Sequence, residues 1–441
     1  MAVAPSSDAL PVAGAAPLSR RTIVGDLDPA WDVPRNQHLL IISRDQSWLT
    51  HGFHKYPAKF FPELPRWAIA RYSDPGETVL DPMAGSGTVN VEAQLMRRPS
   101  LALDVDPFAR LLTRVKTTPL EAQGLATART AVLDALAEFE AAGTGAAADA
   151  LQHVPSFPYR ETWFQPFILL ELGGIKGAIA RVAGTPFLDF FRICLSSIVR
   201  AVSNADNHCT RTVVRQRLNK RIVPGMAVRL FRRVVEVNFG RMADFAAVCP
   251  PDTRTRVLDG GDARALPLAD AAVDFAVTSP PYINAVDYPR THQLEMYLLG
   301  LSPAGEPLAA AKRQHIGTEV VRSADYRELH HSGLPALDEQ VAELFAVDRR
   351  RAYIVYRYFA DMEQNLREVR RTLKPGGRYV VVVGNNLIRG REVPTYAYLM
   401  ALAERTGWEV ETYFASEVIR HYIKVPRKER INTDWVLVLR R

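Results

Sequence analysis

Cysteine is almost missing from this chain: Cys194, Cys209 and Cys249 are the only three in 441 residues, and no two form a C-x-x-C pair. A disulfide framework and a cysteine-built zinc site are therefore not expected, and a reducing compartment fits. His208 beside Cys209 reads as a surface or structural residue, and no metal is expected. Long apolar runs are also missing. None approaches the ~20 residues needed to cross a bilayer, so no membrane partner is expected. The first 20 residues are rich in Ala, Pro and Ser and carry no early positive charge. They read as a tail, not a secretory signal, and the expected location is cytoplasmic. No internal repeat is visible.

Basic charge is present, and it is concentrated. The chain has 55 Lys and Arg against 48 Asp and Glu, a net of +7. Residues 192–241 alone hold eleven basic side chains and two acids, Asp206 and Glu236, a local net of +9. The remainder is close to neutral. Asn204, Asn207, Gln216 and Asn219 are mixed in. Arg can read guanine, and Asn or Gln can read adenine, in a major groove. A solvated helix face would carry the same charge, so the stretch is a candidate and no more. Arg211, Arg215, Arg217, Lys220, Arg221, Arg232 and Arg233 are the expected DNA contacts. A basic segment with an aromatic, 421–430, is a second candidate for positioning a strand.

Three motifs carry chemistry. Val79-Leu80-Asp81-Pro82-Met83-Ala84-Gly85-Ser86-Gly87-Thr88 reads as a strand, a glycine turn and a helix start. Gly85 and Gly87 allow backbone to approach a ligand, and a helix N-terminus offers free N–H groups. The third glycine of G-x-G-x-x-G is absent, with Asn90 in its place, so a pyrophosphate is not favoured. Asp81 ends its strand, where ligands bind in open α/β sheets. The next strand, 100–105, ends at Asp104 and Asp106, about 20 residues on, the usual spacing of a ribose hydroxyl acceptor. Those aspartates could equally cap the helix from Pro107. A third piece, 257–268, places Asp262 and Ala263 after another strand. It leads into Val273–Val277 and then Thr278-Ser279-Pro280-Pro281-Tyr282. Two prolines fix two φ angles and remove two donors. The result is a stiff turn whose carbonyls can accept from an amine, beside an aromatic face that can stack on a planar base. Alone, such a turn would merely close a strand.

Together these stretches resemble the S-adenosylmethionine-dependent amino-group DNA methyltransferases. The resemblance rests on residues 51–69, 79–88, 261–282 and 373–386, with 104–117 in support. Thr-Ser-Pro-Pro-Tyr looks most like the cytosine-N4 branch. The resemblance implies that Asp81, Gly85 and Gly87 hold the methionine end of the cofactor, with Pro82, Met83, Ala84, Ser86 and Thr88 completing the cofactor-binding turn. Tyr56, Pro57, Ala58, Lys59 and Phe60 would lie beside its carboxylate. Asp104 or Asp106 would take the ribose, and Asp262 with Ala263 the adenine. Ser279, Pro280, Pro281 and Tyr282 would handle the target base. Met83 departs from the Phe usual there. The implied function is sequence-specific transfer of a methyl group to the N4 amine of a flipped-out cytosine in double-stranded DNA. Adenine-N6 transfer is the alternative, and a non-catalytic cofactor-binding DNA regulator a further one. The resemblance leaves room for a companion restriction endonuclease.

Alternation of strands and helices predicts a doubly wound, mostly parallel α/β sheet with a largely helical insert, and the resemblance implies that the sheet is of the Rossmann-like methyltransferase type. The expected organisation is a loosely packed or disordered segment at 1–45, a first core part at 46–118, a basic helical insert at 119–250, and a second core part at 251–441. Within the last, 301–350 reads as loop-rich. The segment 435–439 reads as a closing antiparallel strand at the sheet edge.

Overall fold

The computed structural model describes residues 19–43, 45–207, 209–214, 220–283, 286–302, 308–417 and 433–441. Its main sheet has nine strands: β1 (Arg21–Val24), β2 (Gln37–Ile42), β3 (Val79–Asp81), β4 (Ser100–Leu103), β5 (Thr255–Leu258), β6 (Val273–Thr278), β7 (Leu373–Gly384), β10 (Glu409–Glu417) and β11 (Thr433–Arg440). A small hairpin, β8 (Asn386–Ile388) and β9 (Arg391–Val393), stands apart. The order across the sheet is β1-β2-β10-β11-β7-β6-β3-β4-β5. Only β11 runs against its neighbours, β10 and β7; the other pairings are parallel.

Strands of such a sheet are covered on both faces, and β7 shows why its sequence is a run of valines. Val380 and Val382 pack with α1 (Glu63–Tyr72) and α2 (Thr88–Leu95). Tyr379, Val381 and Val383 pack on the other face with α14 (Arg349–Thr372) and α15 (Thr395–Arg405). Side chains alternate between faces, so a strand buried on both must be apolar throughout. The doubly wound expectation holds.

The insert is helical, as expected. It comprises α4 (Ala122–Ala142), α5 (Ala147–Gln152), α6 (Arg160–Trp163), α7 (Pro166–Ala180), α8 (Leu188–Val202) and α9 (Met226–Val248). Its core is shared with α3 (Pro107–Thr117) through Phe108, Leu112 and Val115. Helices α10 (Tyr288–Thr291) and α11 (Gln293–Leu299) follow β6.

Three expectations need correction. The described part of 1–45 is not loose: β1 and β2 join the sheet, and Leu39 and Ile41 are buried against it. The segment 435–439 lies inside the sheet between β10 and β7; the edges are β1 and β5. The loop-rich reading of 301–350 misses α12 (Leu308–Gln314) and α13 (Pro335–Val347), the second packed on α14 through Leu337, Val341 and Leu344. No described helix is long and apolar enough to cross a membrane.

Candidate active site and nucleic-acid surface

The parallel strands β3, β4, β5 and β6 end at one rim of the sheet. From β3 the chain order runs outward to β4 and β5 on one side and to β6 and β7 on the other. The crevice at that reversal is where open α/β sheets bind ligands. A cleft of about 800 Å3, counting the open space at its mouth, lies there.

Its floor is the glycine turn, and neighbouring elements hold that turn in place. Asp104 Oδ2 accepts from Gly85 N–H at 2.8 Å. Thr113 Oγ1 donates to the Gly85 carbonyl at 3.2 Å, and the buried Lys116 ammonium donates to the Ser86 carbonyl. Gly85 has φ +52 and Gly87 φ +71, left-handed values that a side chain rarely adopts. A Cβ on Gly87 would lie 2.8 Å from Thr113 Cγ2. Gly87 therefore shapes the turn from behind, and Gly85 faces the Tyr56 ring across the cleft.

Asp81 is buried at the end of β3. Its Oδ1 accepts from Thr278 Oγ1 at 2.7 Å and from Met83 N–H at 3.1 Å. Burial pushes its carboxyl up to about 7, against those hydrogen bonds. Thr278 opens the Ser-Pro-Pro-Tyr turn, so one hydrogen bond joins the two motifs. Asp104 uses both oxygens on backbone N–H groups, of Gly85 and Asp106. Asp106 caps α3 through Phe108 N–H with Oδ1, and its Oδ2 is buried without a partner. Burial, then the neighbouring Asp106, raises the Asp104 carboxyl. Asp262 lines the cleft with Arg264 gripping both its oxygens, at 2.9 and 2.6 Å. Those contacts outweigh burial and hold its carboxyl below the usual range.

The 56–60 element forms the opposite wall. Ala58 has φ +50 although it is not a glycine, a strain that functional sites tend to store. Lys59 donates to the carbonyls of Gln46 and His51, and burial brings its ammonium down to about 8. Tyr56 stacks on Tyr288 at 5.6 Å and on His292 at 4.9 Å.

Most expected residues meet here. Tyr56, Ala58, Lys59 and Phe60, Asp81 to Ser86, Thr88, Asp104, Asp106, Asp262, Ala263, Ser279 and Pro281 all line the cleft. Pro57, Gly87, Pro280 and Tyr282 do not. Tyr282 instead directs its hydroxyl to Asp434. Sequence reading misses Tyr288, Gln314, His315 and Ile316, which also line it. The last three come from the segment read as a loop, and no motif marks them.

The basic insert is less free than its charge suggests. Lys220 donates to the carbonyls of Arg200, Ser203 and Ala205 and to Asn207, and burial brings its ammonium down to about 8. It is a structural clamp at the end of α8, not an available DNA contact. Arg200 binds the carbonyls of Asp206, Cys209, Thr210 and Arg211. Arg232 pairs with Glu140 at 2.7 Å, and Arg211 with Glu319 at 3.5 Å. Arg221 and Arg233 are exposed and have no ion pair among the described residues. Arg215, Arg217, His208 and the segment 421–430 lie outside the described residues.

Residues 26–112, from ahead of β2 into α3, match the sequence model of the N6/N4 DNA methylase family. The Type II methyltransferase M.MvaI of Kocuria varians is 23% identical over 409 residues, 89% of this chain and 88% of that one. The chain is thus similar to the N6/N4 DNA methylases at residues 26–112 and to a Type II methyltransferase over most of its length. A second Type II methyltransferase, M.BsoBI of Geobacillus stearothermophilus, is 22% identical over 445 residues, 85% of this chain and 81% of that one. A Thermus thermophilus protein solved in complex with S-adenosyl-L-methionine is 20% identical over 41% of this chain and 53% of that chain, with a TM-score of 0.21.

The donor set of the cleft fits S-adenosylmethionine: Asp81 would face its ammonium and Lys59 its carboxylate. The partnerless Asp106 Oδ2 is an acceptor for a sugar hydroxyl. Among the described residues no group of three or more His, Cys, Asp or Glu could hold a metal ion.

Proposed function

We propose that this chain methylates the exocyclic amine of a DNA base, cytosine N4 ahead of adenine N6. The observation that carries this reading is the Thr278–Asp81 hydrogen bond, which fastens the Ser-Pro-Pro-Tyr turn to the cofactor cleft. Ser279 and Pro281 line that cleft beside Asp81 and Gly85. The preference for cytosine rests on Ser279 standing before the two prolines.

S-adenosylmethionine supplies an electrophilic methyl group when bound. The chain must bring a nucleophile to it. A base inside a duplex is out of reach, so it is rotated out at a cost of a few kcal/mol. The Tyr282 ring offers a stacking face. Ser279 Oγ and the Pro280 carbonyl accept from the amine, drawing its hydrogens out of the ring plane and making the nitrogen lone pair available. Transfer of that methyl group to the amine nitrogen would leave S-adenosylhomocysteine, and the proton of the resulting cationic amine would pass to water. Little general-base help is needed before attack, and much of the acceleration comes from positioning. Double-stranded DNA is the partner, and a companion endonuclease would fit a Type II system. Incubating plasmid DNA with labelled S-adenosylmethionine and digesting to nucleosides tests the reading. Label in N4-methyldeoxycytidine supports it, label in N6-methyldeoxyadenosine moves it to the adenine branch, and unlabelled DNA overturns it.

A further inference from the structure

The segment after α12 reaches the cofactor cleft and is pinned there. Arg264, which grips Asp262, also donates to the Gln314 carbonyl at 2.8 Å. Arg357 donates to the Arg313 carbonyl at 2.9 Å. Ile316 is buried, and Gly317, at φ +75, sits so close to the Tyr282 carbonyl that a Cβ there would be 2.8 Å from it. The segment is thus wedged between the cleft and the Ser-Pro-Pro-Tyr turn. His315 lies within it and lines both the cofactor cleft and an adjoining recess of about 360 Å3.

The protonation pattern of His315 follows from its partners. Nδ1 lies 3.0 Å from the Ala311 carbonyl, which can only accept, so Nδ1 carries the hydrogen. In the neutral ring Nε2 is then an acceptor, and it is buried with no partner. A buried acceptor left unmade costs about 1–3 kcal/mol. His315 lies close to both Asp104 and Asp262. Asp106 Oδ2, also partnerless, lines the same cleft. The cleft therefore holds two unfilled acceptors on the Asp104–Asp106 side, and a vicinal diol supplies two donors.

We infer that His315 is a cofactor-binding residue whose Nε2 accepts a hydrogen bond from a ribose hydroxyl of the adenosine moiety. This rests on the S-adenosylmethionine reading of the cleft. It adds a wall to the site from a segment outside the glycine turn and the Ser-Pro-Pro-Tyr motif.

The test is calorimetry on the full chain with 5′-methylthioadenosine and its 2′-deoxy and 3′-deoxy analogues. These probes lack the methionine end, so Asp81 and Lys59 drop out of the comparison. Wild type should lose about three- to tenfold in affinity when the bonded hydroxyl is removed. His315→Ala should bind 5′-methylthioadenosine more weakly by a similar factor and no longer distinguish it from that analogue. His315→Gln, which places an amide oxygen near Nε2, should recover part of the difference. If His315→Ala still discriminates as wild type does, the assignment is wrong. If it loses affinity equally for all three ligands, with discrimination intact, the contact is to the adenine or is indirect, and the ribose assignment falls. If wild type binds S-adenosylmethionine but none of these probes, the ribose assignment falls alone. If it binds neither, the cofactor reading falls with it.

Discussion

Tyr282 donates its hydroxyl to Asp434 Oδ1 across 2.6 Å, tying the Ser-Pro-Pro-Tyr turn to the first residues of β11. Burial pushes the Asp434 carboxyl up to about 6, and the Tyr282 bond counters part of that rise. The aromatic ring expected to stack on the target base is therefore fixed at its far end.

That tether predicts a particular mutational pattern. Tyr282→Phe keeps the ring and loses the bond, worth about 0.5–1.5 kcal/mol, or roughly three- to tenfold in turnover. Asp434→Asn should fall in the same range, and the double variant should match the worse single variant. Tyr282→Ala also removes the stacking face, roughly a further 1–3 kcal/mol. Cofactor affinity, read by calorimetry, should hold throughout. Its collapse in Tyr282→Ala would place that residue at the cofactor instead.

Asp81 should make cofactor binding depend on pH. Its carboxyl titrates near 7 without a ligand, raised from the ordinary carboxylate value by burial. A bound ammonium favours the charged form, so binding lowers that value and releases a proton. Affinity should be highest above pH 7 and weaken as the pH falls through 7, by up to tenfold per unit. Asp81→Asn should flatten the profile. Thr278→Val removes a bond that favours the charged form, so its profile should break at higher pH than wild type. A profile in Asp81→Asn identical to that of wild type would assign the titration elsewhere.

Lys220 and Arg233 should separate two meanings of positive charge. Lys220→Met removes the ammonium shared by three carbonyls, of which that of Arg200 keeps the Ser203 hydroxyl, and should destabilise the protein by about 1–3 kcal/mol in urea unfolding. Arg221→Ala and Arg233→Ala should leave stability within about 0.5 kcal/mol. Each should reduce the salt slope of DNA binding by about one if it touches phosphate. An unchanged slope in the double variant would move recognition away from this face.

Gly87→Ala should damage the cofactor site without touching the ligand. The new Cβ would meet Thr113 at 2.8 Å, and φ is +71. Thr113 also holds the Gly85 carbonyl, so relieving the clash shifts the turn. Affinity for S-adenosylmethionine should fall at least tenfold, a loss of about 1.4 kcal/mol or more. Gly76→Ala serves as control: its φ is +91 with nothing within 4 Å, so it carries the backbone strain away from the cleft.

What can be read from sequence is local and periodic. The glycine turn, Asp81 and the strand before Tyr282 announce themselves because strand, turn and helix chemistry lie within about ten residues of one another. β1 escapes such a reading because Arg21–Val24 is short and largely exposed, with no alternation to detect. Its strand character comes from pairing with β2. Lys220 misleads because linear charge does not say whether an ammonium faces water or a cluster of carbonyls. His315 and Tyr288 are invisible for the same reason that Thr278–Asp81 is. Each owes its place to a contact across the fold, and no spacing in the sequence encodes it.

The pairing of β2 with β10 has a consequence for how the protein is made. Gln37 lies opposite Phe414, and Arg35 donates to the Val410 carbonyl 375 residues away. At ordinary translation speeds of about 5–20 residues per second, the first strands wait roughly 20–75 s for their partner to leave the ribosome. During that time Leu39 and Ile41 have no sheet to cover them. The nascent chain is therefore exposed to misassociation longest at its beginning, and a chaperone that shields the N-terminal strands should raise the soluble yield more than one acting after release.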